Sequence, residues 1–311
     1  MLVEFRVKNF RSFRDGQVLS FVATNDKSFR DTNTIMTGRN EAPFLLRSAV
    51  LYGANGSGKS NLISALQLMR ELVISSSSPR MERGFHNIQP FRLDGQSIHE
   101  PTEFEVTLIK DGVRYQYGFA VTRHRIVSEH LFVYKSPKEE GWFERYYNPA
   151  TGKYVYKFFA DIKETKYLWE DDTRPDSLYL STAILLKDQS IRLMYDFATQ
   201  SMRPVYDWFK DELFITNEQS RISLMHSSMI LRIASEGLTT VIDDIETKLH
   251  ELQMIKLMVM LHSSYNMSRS QLLFTTSLTE FPALFRRDQI WLLDKNQEQV
   301  STFKPRKNES I

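Results

Sequence analysis

Residues 48–72 read SAVLYGANGSGKSNLISALQLMREL. The apolar run Ala49–Tyr52 predicts a buried strand, which breaks at Gly53. A loop rich in glycine, asparagine and serine follows. Beyond the loop, apolar residues recur at the i, i+3, i+4 and i+7 spacing of one helix face, as Leu62, Ala65, Leu66 and Met69. The segment therefore predicts a strand, a loop and a helix in direct succession.

The loop contains the pattern G-x-x-x-x-G-K-S, in which consecutive backbone N–H groups turn inward around a phosphate. Glycines allow backbone conformations that a side chain would block, and the start of the following helix adds a positive end. Lys59 is expected to bring its charge to the β- and γ-phosphates, and the Ser60 hydroxyl to bind Mg²⁺. The pattern predicts a nucleoside triphosphate site with these candidate contacts: Gly53, Asn55, Gly56, Ser57, Gly58, Lys59, Ser60 and Asn61.

The composition is that of a globular protein with one large or two modest domains: 311 residues, 41% hydrophobic and 25% charged. The formal net charge of +2 neither demands nor excludes a nucleic-acid partner. No apolar run approaches the ~20 residues needed to span a bilayer, and the N-terminus lacks a signal-peptide core. The absence of cysteine excludes disulfides and thiol catalysis. These features predict a cytoplasmic protein without a membrane partner.

The segments around the loop carry different patterns. Residues 1–22 predict two strands joined by a turn. The polar residues 23–47 predict an irregular surface loop, and the serine-rich run 75–79 predicts a linker. Between 85 and 159 apolar and polar residues alternate, which predicts antiparallel strands, whereas 177–214 has helical spacing.

An acidic pair follows a second apolar strand near the end of the chain. Leu238–Ile242 predicts a buried strand that ends in Asp243 and Asp244. This is the shape of an element that delivers one carboxylate to Mg²⁺ and follows it with a base for the attacking water. Asp243 therefore joins Ser60 as a candidate metal ligand, and Asp244 joins Lys59 as a candidate catalytic residue.

Three further elements are predicted in the last part of the chain. Residues 248–262 predict a helix, because Leu252, Ile255, Val259 and His262 recur at helical spacing. Residues 271–275 predict a strand, and 304–311 predict a frayed basic tail.

Four parts of the chain resemble one family of ATPases: Asn9-Phe10-Arg11, the phosphate loop at 53–60, residues 245–250, and residues 284–291. Together they resemble the ATP-binding-cassette ATPases of the SMC, RecF and overcoming-lysogenization type, in the AAA-family branch found in bacterial anti-phage systems. The resemblance implies an α/β fold: an ABC-type P-loop ATPase head with a mixed central sheet, an antiparallel β lobe and a helical lobe. It implies a single domain over 1–311, with a nucleotide-binding core at 1–74 and 238–303, the β lobe at 84–160 and the helical lobe at 177–214.

The resemblance also implies ligands and partners. Such ATPases bind ATP with Mg²⁺, close head to tail as dimers or larger homo-oligomers, and work beside an effector such as a nuclease encoded nearby. Their N-terminal basic residue lies close to the nucleotide, which makes Arg11 a candidate phosphate contact; an arginine on an exposed hairpin is the alternative. Gln89 is a candidate for the magnesium-sensing glutamine, although a loop glutamine without a role is the favoured interpretation.

Three departures from the family pattern affect the predicted mechanism. The position of the catalytic glutamate holds Asp244, and the Thr-Thr-His that ends a strand reads Thr275-Thr276-Ser277. No convincing signature motif lies between Phe214 and Leu238. The expected activity is tight nucleotide binding with slow hydrolysis that gates an effector. The alternatives are a scaffold that holds ATP without hydrolysing it, and a RecF-like repair ATPase that binds DNA or another nucleic acid.

Overall fold

A computed structural model describes residues 1–78, 85, 87–135, 140–159, 172–185, 202–216, 227–264, 266–278 and 285–306. The chain forms two compact units. Unit 1 comprises Met1–Glu4, Gln17–Ser64 and Glu212–Ile311, and unit 2 comprises Phe5–Gly16 and Ala65–Asp211. No helix in these described ranges is long and apolar enough to cross a membrane.

Unit 1 is built on a six-stranded sheet. Across the sheet the order is β11 (Leu213–Ile215), β12 (Thr239–Ile242), β13 (Gln271–Thr276), β5 (Ser48–Tyr52), β14 (Ile290–Lys295) and β15 (Ser301–Pro305). The first five strands are parallel to their neighbours, and β15 pairs antiparallel at the edge. Every residue of β12 and β13 is buried, as expected for strands of a parallel sheet covered on both faces. The strands predicted at 49–52, 238–242 and 271–275 are confirmed.

Helices cover this sheet and complete the core of unit 1. They are α5 (Ser227–Ser235), α6 (Ile245–Lys248) and α7 (Glu251–Leu261), with a 3₁₀ turn at Arg287–Gln289. Buried side chains of α5 and α7 pack with Val50, Leu272 and Phe274 in one hydrophobic cluster. Helix α7 confirms the helix predicted over 248–262, with shorter limits.

Two predictions for unit 1 were wrong in part. The segment 23–47 is ordered: it holds the short helix α1 (Arg30–Asn33) and strands β3 (Thr34–Met36) and β4 (Phe44–Leu46), which pair antiparallel. The apolar run Phe44–Leu46 has only three residues, which is too short for an alternating pattern to indicate a strand. The predicted basic tail begins inside β15, and residues 307–311 lie outside the described ranges.

A seven-stranded sheet dominates unit 2. Its order is β10 (Lys153–Phe158), β9 (Glu140–Asn148), β8 (Ile126–Tyr134), β7 (Val113–Val121), β6 (Thr102–Lys110), β1 (Leu2–Lys8) and β2 (Gln17–Ser20). Strands β6 to β10 form an antiparallel meander, which confirms the predicted β lobe pattern. Strand β2 belongs to unit 1, and strand β1 and helix α2 (Lys59–Ser75) each begin in unit 1 and continue into unit 2.

The helical part of unit 2 holds α3 (Tyr179–Leu185), α4 (Arg203–Asp207) and a π-helical turn at Trp208–Glu212 whose last residue belongs to unit 1. Residues 186–201 lie outside the described ranges. The helical spacing predicted at 177–214 corresponds to helical segments at 179–185 and 203–212, but Leu213 and Phe214 belong to strand β11. The lobe limits proposed for the whole chain stay a prediction.

The serine-rich run after α2 is not a linker. Helix α2 extends to Ser75, and Ser76 is fully buried. The backbone carbonyl of Ser76 accepts hydrogen bonds from Arg174 and Ser177, and its hydroxyl accepts one from the backbone N–H of Leu178. The serine content predicted a solvent-exposed linker. Instead, the hydroxyls of Ser76 and Ser177 form hydrogen bonds with buried backbone groups. Pro79 lies outside the described ranges.

Candidate nucleotide-binding site

The phosphate loop (residues 53–60) joins β5 to α2 in a conformation that requires its glycines. A Cβ on Gly53 would lie 2.5 Å from Oγ of Ser57 and 2.7 Å from the backbone oxygen of Leu293. Gly56 and Gly58 have φ values of 82° and 113°, which favour glycine. Position 53 therefore requires glycine because neighbouring atoms lie too close for a side chain. Positions 56 and 58 favour glycine because of their backbone conformation.

Lys59 is buried at the start of α2. Its Nζ donates hydrogen bonds to the backbone oxygens of Gly53 (2.6 Å) and Ala54 (3.2 Å), so the ammonium group lies against the first residues of the loop. Oγ of Ser57 is buried and has no hydrogen-bond partner among the described residues. A buried hydroxyl without a partner is costly, and a ligand oxygen would satisfy it. These features fit the loop to a phosphate chain.

The acidic pair lies at the carboxyl end of β12, next to the end of β13. Oδ1 of Asp243 accepts a 2.7 Å hydrogen bond from the hydroxyl of Thr275. The backbone N–H of Asp244 donates to the same hydroxyl at 2.7 Å, and Oδ1 of Asp244 lies 3.4 Å from it. Thr275 is fully buried, so one threonine orients both carboxylates. The polar threonine in the apolar run LLFTT is the sequence signal that could have revealed this role.

The electrostatic surroundings of the pair join it to the loop. Burial raises the pKa of Asp244, and the carboxylates of Asp243 and Glu246 raise it further, while Lys59 and a hydrogen bond from Thr275 oppose the shift. Lys59 and the acidic pair therefore lie close enough for their charges to interact. Asp244 also has a left-handed backbone, with φ 45° and ψ 68°.

Glu246 contacts Ser277, an arrangement that the sequence did not predict. Oε1 of Glu246 accepts hydrogen bonds from the backbone N–H of Ser277 (2.9 Å) and from its hydroxyl (2.8 Å). Burial opposes ionisation of Glu246, but the hydrogen bonds from Ser277 and its neighbours outweigh it and lower the pKa of this carboxyl. Oε2 is buried without a hydrogen-bond partner in the described part of the chain. Ser277, where the resemblance expects histidine, is thus tied to a carboxylate.

A cavity of about 550 Å³ opens beside the first half of the loop. Its wall combines loop residues, Ser277, three apolar residues of β14 and Arg306: Tyr52, Gly53, Ala54, Asn55, Ser277, Ile290, Leu292, Leu293 and Arg306. The described residues contain no group of three or more His, Cys, Asp or Glu side chains that could hold a metal. A Mg²⁺ ion here would need water and phosphate ligands besides Ser60 and Asp243, as is usual for this ion.

The family described as "AAA domain, putative AbiEii toxin, Type IV TA system" matches residues 48–233, more than half of the chain. The chain belongs to this family. The "SMC head domain from Thermotoga maritima" is similar at 15% identity over 98% of both chains, with a TM-score of 0.38. The "SmcHead bound to the C-winged helix domain of ScpA" is similar at 14% identity over 99% of this chain and 98% of that chain, with a TM-score of 0.41. A comparison with curated proteins found no match.

Arg11 and Gln89, the two candidates that the family resemblance adds, lie together in unit 2. The backbone N–H of Arg11 donates a 2.7 Å hydrogen bond to the backbone oxygen of Gln89. The amide side chain of Asn9 binds the same loop: Nδ2 donates to the backbone oxygens of Ser97 and Glu100, and Oδ1 accepts from the N–H of Phe91. Partial burial lowers the pKa of Arg11. That Arg11 contacts the nucleotide stays a prediction, and the role of Gln89 stays open.

Arg286 lies in the segment 284–291, which carries the basic pair Arg286 and Arg287. Arg286 is buried, and its guanidinium forms a two-pronged ion pair with Asp288, with nitrogen–oxygen distances of 2.9 and 2.7 Å. It also donates to the backbone oxygens of Asp26 and Ser28. Arg286 therefore holds the segment 24–28 through buried hydrogen bonds. Residues 217–226, part of the region searched for a signature motif, lie outside the described ranges.

Proposed function

We propose that this AAA domain binds ATP with Mg²⁺, hydrolyses it slowly and uses nucleotide binding to gate a partner effector. The observation that carries the proposal is a complete phosphate loop beside an acidic pair whose catalytic position is altered. The loop glycines, Lys59 and the orphaned Ser57 hydroxyl support binding. The Asp244 position supports slow turnover.

The proposed binding roles follow from the side chains present. Lys59 would exchange its two backbone acceptors for phosphate oxygens, and the N–H groups of the loop and of the start of α2 would bind the same chain. Ser60 and Asp243 would hold Mg²⁺, whose charge would offset that of the phosphates. Thr275 keeps Asp243 in place for that role.

Two features support slow hydrolysis. Asp244 is one methylene shorter than the glutamate that the resemblance places here, and misplacing a base by ~1 Å can cost ~100-fold in rate. Ser277 lacks the imidazole of the expected histidine, and its hydroxyl is engaged by Glu246.

The effector part of the proposal rests on the family. Its description names a putative toxin of a type IV toxin–antitoxin system, and the resemblance implies anti-phage defence in the cytoplasm beside a nuclease or similar protein. We place the ATP-bound state, closed as a homodimer, upstream of that effector. The scaffold alternative keeps the same binding residues and differs only in lacking turnover.

The experiment compares ATP binding with phosphate release on the purified full chain. Wild type is expected to bind Mg-ATP and to release phosphate far below the ~1 s⁻¹ low end of typical enzyme turnover. Lys59→Ala should abolish binding, whereas Lys27→Ala, which removes an exposed lysine of unit 1, should not. Brisk turnover that Asp244→Asn abolishes would contradict slow hydrolysis.

The gating step needs a second readout. Co-purification from the native host, with identification of bound chains and nucleotide, should recover an effector in wild type and lose it in Lys59→Ala. Assembly that persists with a non-hydrolysable analogue, without any phosphate release, would favour the scaffold. Strong DNA binding that weakens steeply with salt would favour the repair alternative, against which the small net charge argues.

A further inference from the structure

Helix α7 has two apolar faces, of which unit 1 buries only one. Met254, Leu257, Met258 and Leu261 belong to the core cluster. Leu252, Ile255 and Val259 are 73%, 40% and 62% exposed. A single exposed leucine is ordinary, but these three large apolar side chains form a stripe along one face of the helix.

The exposed residues have the spacing of a coiled-coil seam. Steps of three and four residues assign Leu252, Ile255 and Val259 to heptad positions a, d and a. Position g is then Glu251 and position e is Lys256, and both are exposed. In parallel helices, a g residue lies beside the e residue five positions further along the neighbouring chain, and such pairs set partner and orientation. Glu251 and Lys256 are five positions apart and opposite in charge, so this face is complementary to itself.

We propose that copies of this chain associate through α7 in parallel. Leu252, Ile255 and Val259 form the seam, and Glu251 of each copy pairs with Lys256 of the partner subunit. An antiparallel pairing about a two-fold axis is disfavoured, because it places each charged flank beside the same flank of the other copy. This association is separate from the nucleotide-driven closure proposed above.

The seam runs from Leu252 to Val259, little more than one heptad, which would be too short for an isolated coiled coil. Here the helix is already formed, because its opposite face is anchored in the core of unit 1. A hydrogen-bonded cap also fixes its start: the backbone N–H of His250 donates to Oε1 of Gln253. Association therefore avoids most of the cost of ordering the helix.

The test measures self-association of the full chain by sedimentation velocity and native mass spectrometry, without nucleotide. E251K and K256E each turn an attraction into a repulsion and are expected to weaken association about 10-fold. The double variant E251K/K256E should restore it. An equimolar mixture of the two single variants should form mixed oligomers more readily than either alone, because every pair in them is again opposite in charge.

Two substitutions with the same change in charge separate the seam from general surface effects. L252K should abolish association. M267K places a lysine at another exposed apolar site, 91% exposed, and should leave association unchanged. Melting curves for each variant check that the fold is kept.

Three results would overturn the proposal: a monomer at all concentrations, association that ignores the charge reversals, or association that appears only with Mg-ATP and disappears in Lys59→Ala. The last result would assign association to the nucleotide site. Conversely, loss of ATP binding in wild type would contradict the proposed function and leave the α7 contact standing.

Discussion

The hydroxyl of Thr275 donates a 2.7 Å hydrogen bond to Oδ1 of Asp243, between the ends of two paired strands. The register of β12 and β13, in which Ile242 faces Phe274, places the acidic pair beside this threonine. Because the same hydroxyl accepts the N–H of Asp244, the geometry of the candidate metal ligand and that of the candidate base depend on one side chain.

Thr275→Val is expected to loosen the acidic pair while keeping the volume of the buried side chain. Hydrogen bonds to charged groups contribute roughly 1.5–3 kcal/mol, so the free energy of unfolding should fall by about 2 kcal/mol. Mg²⁺-dependent ATP binding, measured by titration calorimetry, should weaken about 10-fold. Thr275→Ser, which keeps the hydroxyl, should bind like wild type. Equal affinity in the valine and serine variants would show that the hydroxyl does not position Asp243.

Gly53→Ala is expected to abolish ATP binding. Its Cβ would overlap Oγ of Ser57 and the backbone oxygen of Leu293, and the rigid backbone atom cannot rotate away. Gly95→Ala is the matched control, because nothing lies within 4 Å of the Cβ added there. Fluorescent-nucleotide titration of both variants checks the prediction. Unchanged binding in Gly53→Ala would mean that the loop can shift to accept a side chain.

Asp244→Glu is expected to raise phosphate release, by up to ~100-fold, without tightening ATP binding. The longer side chain would restore the reach of the base that the resemblance implies. Asp244→Asn should remove the residual turnover and keep binding. Single-turnover phosphate release is the measurement, since it separates chemistry from product release. A glutamate variant as slow as wild type would place the limiting defect elsewhere, with Ser277 as the next residue to change.

The sequence predicts those parts of the candidate nucleotide site whose residues are consecutive in the chain. The phosphate loop, the strand before it and the acidic pair each follow from consecutive residues, because the loop chemistry fixes residue types at fixed spacing. The hydrogen bonds of Thr275 and Ser277 depend on the register between strands that are distant in sequence, so the sequence offered only a polar threonine in an apolar run as a signal. Pattern analysis of one segment contains no information on which strand becomes its neighbour.

Helix α7 shows the same limit in packing. The sequence predicts a helix there, and the residues that revealed it, such as Leu252 and Val259, are the exposed ones. When a helix is apolar on two sides, the spacing of its apolar residues does not indicate which side is buried. The serines at 75–78 mislead for a related reason: the composition of a linker and that of a buried hydrogen-bonded turn are alike.

Glu129→Gln is expected to destabilise unit 2 by about 3 kcal/mol, the lower end for breaking a buried ion pair. The Glu129 carboxylate is fully buried 3.7 Å from Arg145 and accepts hydrogen bonds from the N–H groups of Tyr179 and Leu180. The variant leaves the guanidinium buried without a carboxylate. Glu103→Gln breaks the half-exposed pair with Lys8 and should cost less than ~1 kcal/mol. Chemical unfolding of both variants measures the difference. Similar losses of unfolding free energy in the two variants would show that the buried ion pair contributes no more to stability than the half-exposed one.

His262 should make the protein less stable as the pH falls below 6.5. Burial, with a smaller effect of Arg47, lowers the pKa of His262 from 6.5 to about 4. Its Nε2 lies 2.8 Å from the hydroxyl of Ser48, which also accepts a 2.7 Å hydrogen bond from Nε2 of Gln289. Between pH 6.5 and 4 the unfolded chain binds a proton that the folded chain does not. That difference removes stability as the pH falls and leaves it intact above 6.5.

The lowering of the pKa of His262 from 6.5 to about 4 corresponds to a loss of about 3 kcal/mol in unfolding free energy between pH 7 and pH 4. Other groups titrate in the same range, so the measurement is the difference in unfolding free energy between wild type and His262→Gln. The variant keeps an acceptor for Ser48 and cannot be protonated. It is expected to be the less stable protein at pH 7 and to lose less stability on acidification. Parallel curves for the two proteins would show that His262 does not remain neutral in the fold.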